Sequence, residues 1–213
     1  MKKIIAINAS PRQNWNTDLM VREAAKGARE AGAEVEVIQL YKLKNTHPCM
    51  SCFGCKLEKN LGKCVYPDDF APVLQSIREA DGLILGTPIY LGDITAGLRA
   101  LYERLIFQKV TYRTDKIYYD DSQIPVLFVI TSNAPLFTFE DEGYAQMIDH
   151  YQKELNRAVG PTSVVIADET MQVNDYEKYN WTRFDYEDRR RRRREVFPEH
   201  LKKAYEIGAT LVK

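Results

Sequence analysis

The sequence predicts an α/β chain folded as an open, mostly parallel, doubly wound five-stranded sheet with helices on both faces. Three observations predict it. Short apolar runs alternate with helix-period stretches five times along the chain. Two of those runs, Ile4–Ile7 and the stretch IPVLFVIT from residue 124, are apolar without alternation, as strands buried on both faces are. No internal repeat or domain linker interrupts the 213 residues, a length that suits one such domain.

In chain order, strand Ile4–Ile7 leads through Asn8, Ala9, Ser10, Pro11 and Arg12 into a helix from Asp18. Leu19, Met20, Ala24, Ala25 and Ala28 form its stripe. AGAEVEVIQL (31–40) alternates Val35, Val37 and Ile38 with Glu34 and Glu36, so this second strand belongs at a sheet edge. Residues 41–63 are irregular. A helix over 68–79 follows, carrying Phe70, Val73, Leu74 and Ile77, and then the third strand around Leu83–Leu85, ending in Gly86-Thr87-Pro88. The next helix, from about Thr95 to Phe107, turns Leu98, Leu101, Leu105 and Ile106 inward. Polar, aromatic residues 109–123 read as a surface excursion. The fourth strand (124–133), a helix near 144–159 and the fifth strand (161–168) complete the sheet. Residues 170–187 read as a loop, and a last helix begins at Tyr186 or Pro198 and runs to Leu211.

Composition excludes several classes. Formal net charge is zero, so nothing global calls for nucleic acid or an anionic membrane. No apolar run approaches the ~18 residues of a membrane span, and MKKII is followed too soon by Asn8 and Pro11 to be a secretion signal. A cytoplasmic protein is expected. The three histidines, His47, His150 and His200, lie in unrelated polar contexts, so no Ser/His/Asp triad can be assigned.

In such sheets ligands sit beyond the carboxyl ends of the strands, where the loops from Asn8, Gly86 and Ser132 meet. A strand, a polar loop and a helix N-terminus make a phosphate cradle: loop N–H groups and the helix dipole face the anion, with Ser10, Asn16, Thr17 and Arg12 as donors. An ordinary βα loop capped by Asn16 or Thr17 has the same pattern. Neither a G-x-G-x-x-G nor a G-K-S/T motif is present.

SPRQNWNT (10–17) resembles the phosphate loop of the NAD(P)H-dependent FMN reductase family, a flavodoxin-like group with Ser-x-Arg followed by Asn-Thr. GTPIYLGDITAGLRALYER (86–104) resembles that family's flavin-ring segment. PCMSCFGCKLEKNLGKCVYPDDF (48–70) resembles the cysteine block of its iron–sulfur flavoprotein branch. Arg99 stands where the family usually has Lys, Glu103-Arg104 where it has Asp-Arg, and the last cysteine gap is wider than usual in that branch. The resemblance implies FMN, its phosphate held by Ser10, Arg12, Asn16 and Thr17. It places the ring against Thr87, Pro88, Ile89, Tyr90 and Gly92, with Ser132 and Asn133 closing the site. NAD(P)H is the implied co-substrate and a homodimer or homotetramer the implied assembly.

All four cysteines, Cys49, Cys52, Cys55 and Cys64, fall in one block with spacing C-x2-C-x2-C-x8-C. Such clustering points to metal or redox chemistry rather than a disulfide framework. Three readings stand: a [4Fe–4S] cluster exchanging electrons with FMN, structural zinc, or thiols without metal. His47 is a spare ligand only if a cysteine fails.

Arg189–Arg194 follow Asp185, Glu187 and Asp188 and read as a charged surface helix or subunit contact, its charges paired at helical spacing. Tyr112, Tyr118 and Tyr119 suit an interface or lid. Tyr176, Tyr179, Trp181 and Phe184 suit cover over a neighbouring subunit's site. The expected function is an FMN oxidoreductase moving electrons from NAD(P)H or a reduced carrier to a small-molecule or protein acceptor. The alternatives are a flavin electron carrier without NAD(P)H activity, and a non-catalytic zinc-loop protein.

Overall fold

The computed structural model describes residues 1–213. Five parallel strands, β1 (Lys3–Asn8), β2 (Glu34–Gln39), β3 (Gly82–Pro88), β4 (Val126–Thr131) and β5 (Thr162–Ala167), form one sheet in the order β2-β1-β3-β4-β5. This is the flavodoxin-like order, with its switch point between β1 and β3. The central strands are buried on both faces, and β2, alternating exposed and half-buried, is an edge as its sequence predicts.

The pleat divides the core in two. Ile5, Ile7, Leu83, Leu85, Phe128 and Ile130 face α2 (Phe70–Arg78), α3 (Ala96–Lys109) and α4 (Tyr144–Ala158). Their neighbours Ile4, Ala6, Ile84, Leu127 and Val129 face α1 (Asn16–Glu30) and α6 (Phe197–Thr210). The predicted last helix is two helices: α5 (Tyr186–Glu195) ends at Val196, and Pro198 sits in the first turn of α6, where its missing N–H costs nothing. No helix is long and apolar enough to cross a membrane.

Helices α1 and α6 pack at glycine. A Cβ on Gly208 would lie 2.1 Å from the Ala24 carbonyl oxygen, and one on Gly27 would lie 2.0 Å from that of Tyr205. Both obstacles are backbone, so neither can swing aside. Gly208→Ala is expected to destabilise the fold by ~1–3 kcal/mol, the usual cost of overpacking, read as a lower urea midpoint at unchanged slope.

Helix α3 departs from its predicted single stripe. Leu98, Leu101 and Leu105 are buried as expected, but so are Tyr102, Arg104 and Gln108, while Ile106 is only half-buried. Arg104 and Gln108 face residues 48–66, two short 3-10 turns and irregular backbone folded against the helix, while Tyr102 packs on Tyr151 of α4.

Candidate functional site

The cleft at the switch point is built on a buried polar network. Asn8, at the end of β1, donates to Asp18 Oδ1 at 2.9 Å and Gln39 Oε1 at 2.6 Å, and its own oxygen accepts the Ser10 N–H. Asp18 is fully buried and accepts further from the Asn14 N–H at 2.7 Å, the Gln39 amide at 2.8 Å and Arg22 Nε at 2.9 Å. Burial pushes this carboxyl up, but the Asn14 N–H, Gln39 and Arg22 outweigh it and hold the pKa below its usual value. The carboxylate therefore anchors the loop from behind, with Asn14 in a left-handed turn at φ 56°.

In front, α1 starts at Asn16 with Trp15 at its N-cap and no side-chain cap, which leaves first-turn N–H groups without a protein acceptor. Ser10 Oγ accepts the Arg12 N–H at 3.1 Å, so its own proton is available to a ligand. The Arg12 guanidinium lies 4.5 Å from the Trp15 ring centre and donates to the Gln172 carbonyl. Arg193, reaching over from α5, lies 5.6 Å from the same ring and donates to Asn16 Oδ1 at 2.7 Å. Burial lowers both guanidinium pKa values, and neither arginine has a carboxylate partner. The corner is electropositive.

Ser10, Arg12, Asn16, Thr17, Pro88, Ile89, Tyr90, Ser132 and Asn133 line one cleft, together with Trp15, Thr131, Thr170 and Gln172. Two predicted residues stand apart. Thr87 is fully buried: its Oγ1 donates to the Pro88 carbonyl and accepts the Thr95 N–H, and Thr95 Oγ1 donates to the Ala9 carbonyl. Thr87 thus shapes the turn from inside instead of lining the cleft. Gly92, at φ 83°, closes the Tyr90–Asp93 turn beside Leu91, also left-handed and fully exposed. Thr17 lines the cleft, but its hydroxyl is shared with Thr131 at 2.7 Å. Asn133 accepts from Arg189 at 3.1 Å. Arg99, in the family's Lys position, donates to Tyr151 at 2.8 Å. Tyr151 in turn donates to Asp93 at 2.9 Å, bracing the turn from below.

The arginine run is not a uniformly exposed face. Arg190 and Arg191 pair at helical spacing with Glu187 and Asp188, as expected. Arg189, Arg192 and Arg193 instead turn inward, to Glu169, Asp168 and Asn16. Residues 170–172 cross the 10–17 loop, where the Met171 carbonyl accepts from Trp15 and Asn16. The late aromatics Tyr176, Tyr179, Trp181 and Phe184 pack edge to face or stacked into one cluster. Phe184 lines a second cavity that shares Ile89, Ser132 and Asn133 with the cleft. Of these aromatics, Phe184 is the one that reaches the cavity beside the chain's own cleft. Sequence reasoning placed Arg193 on a charged surface helix and gave Trp15 and Gln172 no role; none of the three carries a local signal for this cleft.

A separate cavity holds the cysteines. Cys49, Cys52, Cys55 and Cys64 all line it, among Met50, Phe53, Val65, Tyr66 and Phe107. All four are free, and no three of the chain's Cys, His, Asp or Glu side chains converge tightly enough to hold a single metal ion. His47 turns away, its ring against Asn45 and Tyr66. Left-handed Ser51 and Phe53, at φ 48° and 56°, flank Cys52, and burial pushes the Cys55 thiol up despite Lys56. Beneath the loop, Asp68 and Arg104 form an ion pair at 2.6 Å with both side chains almost completely buried.

Five parallel strands in flavodoxin order, with an electropositive loop at the switch point and an apolar turn beside it, define a flavodoxin-like protein of the nucleotide-binding kind. Residues 2–131 match the profile of the NADPH-dependent FMN reductase family, and the chain belongs to that family. It is 45% identical over 102 residues to an iron–sulfur flavoprotein of Methanocaldococcus jannaschii, covering 48% of this chain and 51% of that one. It is 32% identical over 104 residues to an iron–sulfur flavoprotein of Methanosarcina thermophila, covering 49% and 52%. The chain thus spans about half the length of the curated relatives it matches. Among solved structures, an NAD(P)H:quinone oxidoreductase from Methanothermobacter marburgensis superposes over 99% of this chain and 98% of its own, with TM-score 0.74. At 16% identity that likeness shows the fold alone.

Proposed function

We propose that this chain is an FMN oxidoreductase of the iron–sulfur flavoprotein type, drawing electrons from NAD(P)H or a reduced carrier and passing them to an acceptor. What carries the reading is the corner where Arg12 and Arg193 flank Trp15 without a carboxylate, over the uncapped start of α1. Two half-buried cations and unsatisfied N–H groups at one point fit a phosphate dianion. FMN, when bound, supplies hydride and single-electron chemistry. The chain's own residues bind and orient. Ser10, Arg12, Asn16 and Thr17 hold the phosphate end. Pro88, Ile89 and Tyr90 offer an apolar wall, with Thr87 and Gly92 shaping their turn and Ser132 and Asn133 opposite. Burial pushes the Tyr90 phenol up, so it stays a neutral donor near pH 7. No side chain needs to act as acid or base.

The four cysteines fit a [4Fe–4S] cluster better than one zinc ion. Thiolates around tetrahedral zinc converge on a point at ~2.3 Å; here the four cysteines line one largely apolar cavity without such convergence, and a cubane takes one thiolate at each of four separate irons. Cys49, Cys52, Cys55 and Cys64 would be its ligands, and the cluster would supply one-electron exchange. Exposed Tyr112 and Ile117 on the 109–123 excursion suit contact between copies in a homo-oligomer.

The test is anaerobic. The purified chain should show flavin bands with about four irons per chain, and NADH or NADPH should bleach the flavin within a catalytic turnover. A flavin bleached only by a ferredoxin-like donor would make the protein a carrier. A colourless chain that binds no added FMN would sink the reading.

A further inference from the structure

We propose that Arg104 and Gln108, one turn apart on α3, are the N–H donors to the sulfur centre held by the cysteine loop, and that they raise its reduction potential. The inference rests on the cluster reading above. The family's motif would group Arg104 with the flavin-ring segment, yet the structure carries it to the other end of α3. There its Nε lies 3.3 Å from Cys64 Sγ. The guanidinium cannot swing away: Nη1 is held by Asp68 at 2.6 Å and Nη2 by the Tyr66 carbonyl at 3.1 Å.

Gln108 completes the arrangement. Its Oε1 accepts the Cys64 N–H at 3.0 Å, which fixes the amide orientation, because a flipped amide would set donor against donor. The side chain is only 2% exposed, and its Nε2 has no partner in the protein. A buried amide donor left unpaired costs ~1–3 kcal/mol, and native chains rarely carry one without a use. Gln108 and Arg104 line the same cavity as the four cysteines. An anionic sulfur there gives Nε2 its acceptor.

Donors aimed at sulfur favour the more negative charge state. For a one-electron couple that is the reduced form, so each N–H raises the potential, and more so in an apolar cavity that screens poorly. Helix α3 thereby does two jobs. Its N-terminus, capped by Thr95, sets the turn beside the FMN cleft, and its last turns set the electronics of the sulfur centre.

The experiment compares the wild-type chain with Gln108→Leu and Arg104→Lys after anaerobic reconstitution with iron and sulfide. Iron and sulfide per chain are assayed first, and an EPR-monitored redox titration follows. Both variants are expected to load the same iron as wild type and to titrate lower. The reduced-to-oxidised ratio at the wild-type midpoint should fall about tenfold, or 59 mV for one electron. A purely structural role would change iron content and leave the potential of loaded chains in place. Gln108→Leu keeps the test open if Arg104→Lys fails to fold. Loaded variants at the wild-type potential overturn the inference; Nε2 would then be served by water in the adjoining cavity beside Arg78 and Lys109. A wild-type chain that takes up no iron removes the cluster reading and this inference together, and leaves FMN binding to stand or fall by its own spectrum.

Discussion

Arg12→Gln is expected to weaken FMN binding about 10- to 100-fold while leaving riboflavin affinity unchanged, because riboflavin lacks the phosphate. The size follows from losing one charge-assisted hydrogen bond, ~1.5–3 kcal/mol, at ~1.4 kcal/mol per tenfold. Arg193→Gln should lose FMN affinity in the same direction. Arg190→Gln, on the solvent side of the same helix, should lose none, since its charge is exposed and pairs only with Glu187. Arg12 also stacks on Trp15 and donates to the Gln172 carbonyl, so its loss loosens the 170–172 crossing. The riboflavin control separates that effect from the phosphate contact. Fluorescence quenching of both ligands at two salt concentrations is the measurement. Equal losses for FMN and riboflavin would place the phosphate elsewhere.

Asp68→Ala is expected to be among the most damaging single substitutions, costing about 3–5 kcal/mol. Its carboxylate accepts from Arg104, from the His47 N–H at 2.9 Å and from the Phe70 N–H at 3.0 Å. It therefore ties the start of the cysteine loop to the first turn of α2. Removing it leaves a buried, unpaired guanidinium, and the desolvation cost of that charge is no longer offset. Asp68→Ala with Arg104→Met should recover much of the loss, since the second change removes the orphaned charge. Urea midpoints of the two variants decide it. A double variant no more stable than Asp68→Ala would show that the loop anchoring, not the charge, dominates.

Much of the architecture is legible in the chain itself. The unbroken apolar runs of β1 and β4 announce strands covered on both faces, and the alternation of β2 announces an edge. The cleft is legible too. Ser10, Arg12, Tyr90 and Ser132 sit at the ends of consecutive core strands, and a parallel sheet must bring those ends to one side. The four cysteines within sixteen residues could only end up near one another.

What the chain does not show is which charges go inside. Arg190 and Arg193 look alike in sequence, as parts of one run, yet one is solvated and the other meets Asn16, 177 residues away. Arg104 ends the stretch that resembles the flavin-ring segment, and nothing local shows that Asp68 and Cys64 receive it. Thr87 reads as a cleft hydroxyl until Thr95 and Pro88 absorb it. A buried polar group is tolerable only where distant partners offset its desolvation, so its position depends on segments that local periodicity cannot see. The doubly wound fold class, the β2 edge and the cysteine block follow from residue pattern and spacing, while the order β2-β1-β3-β4-β5 is a fact of the tertiary structure. The inward turn of Arg104, Arg189 and Arg193, the crossing of residues 170–172 over Trp15 and Asn16, and the packing of Arg104 and Gln108 against Cys64 were decided by tertiary contacts.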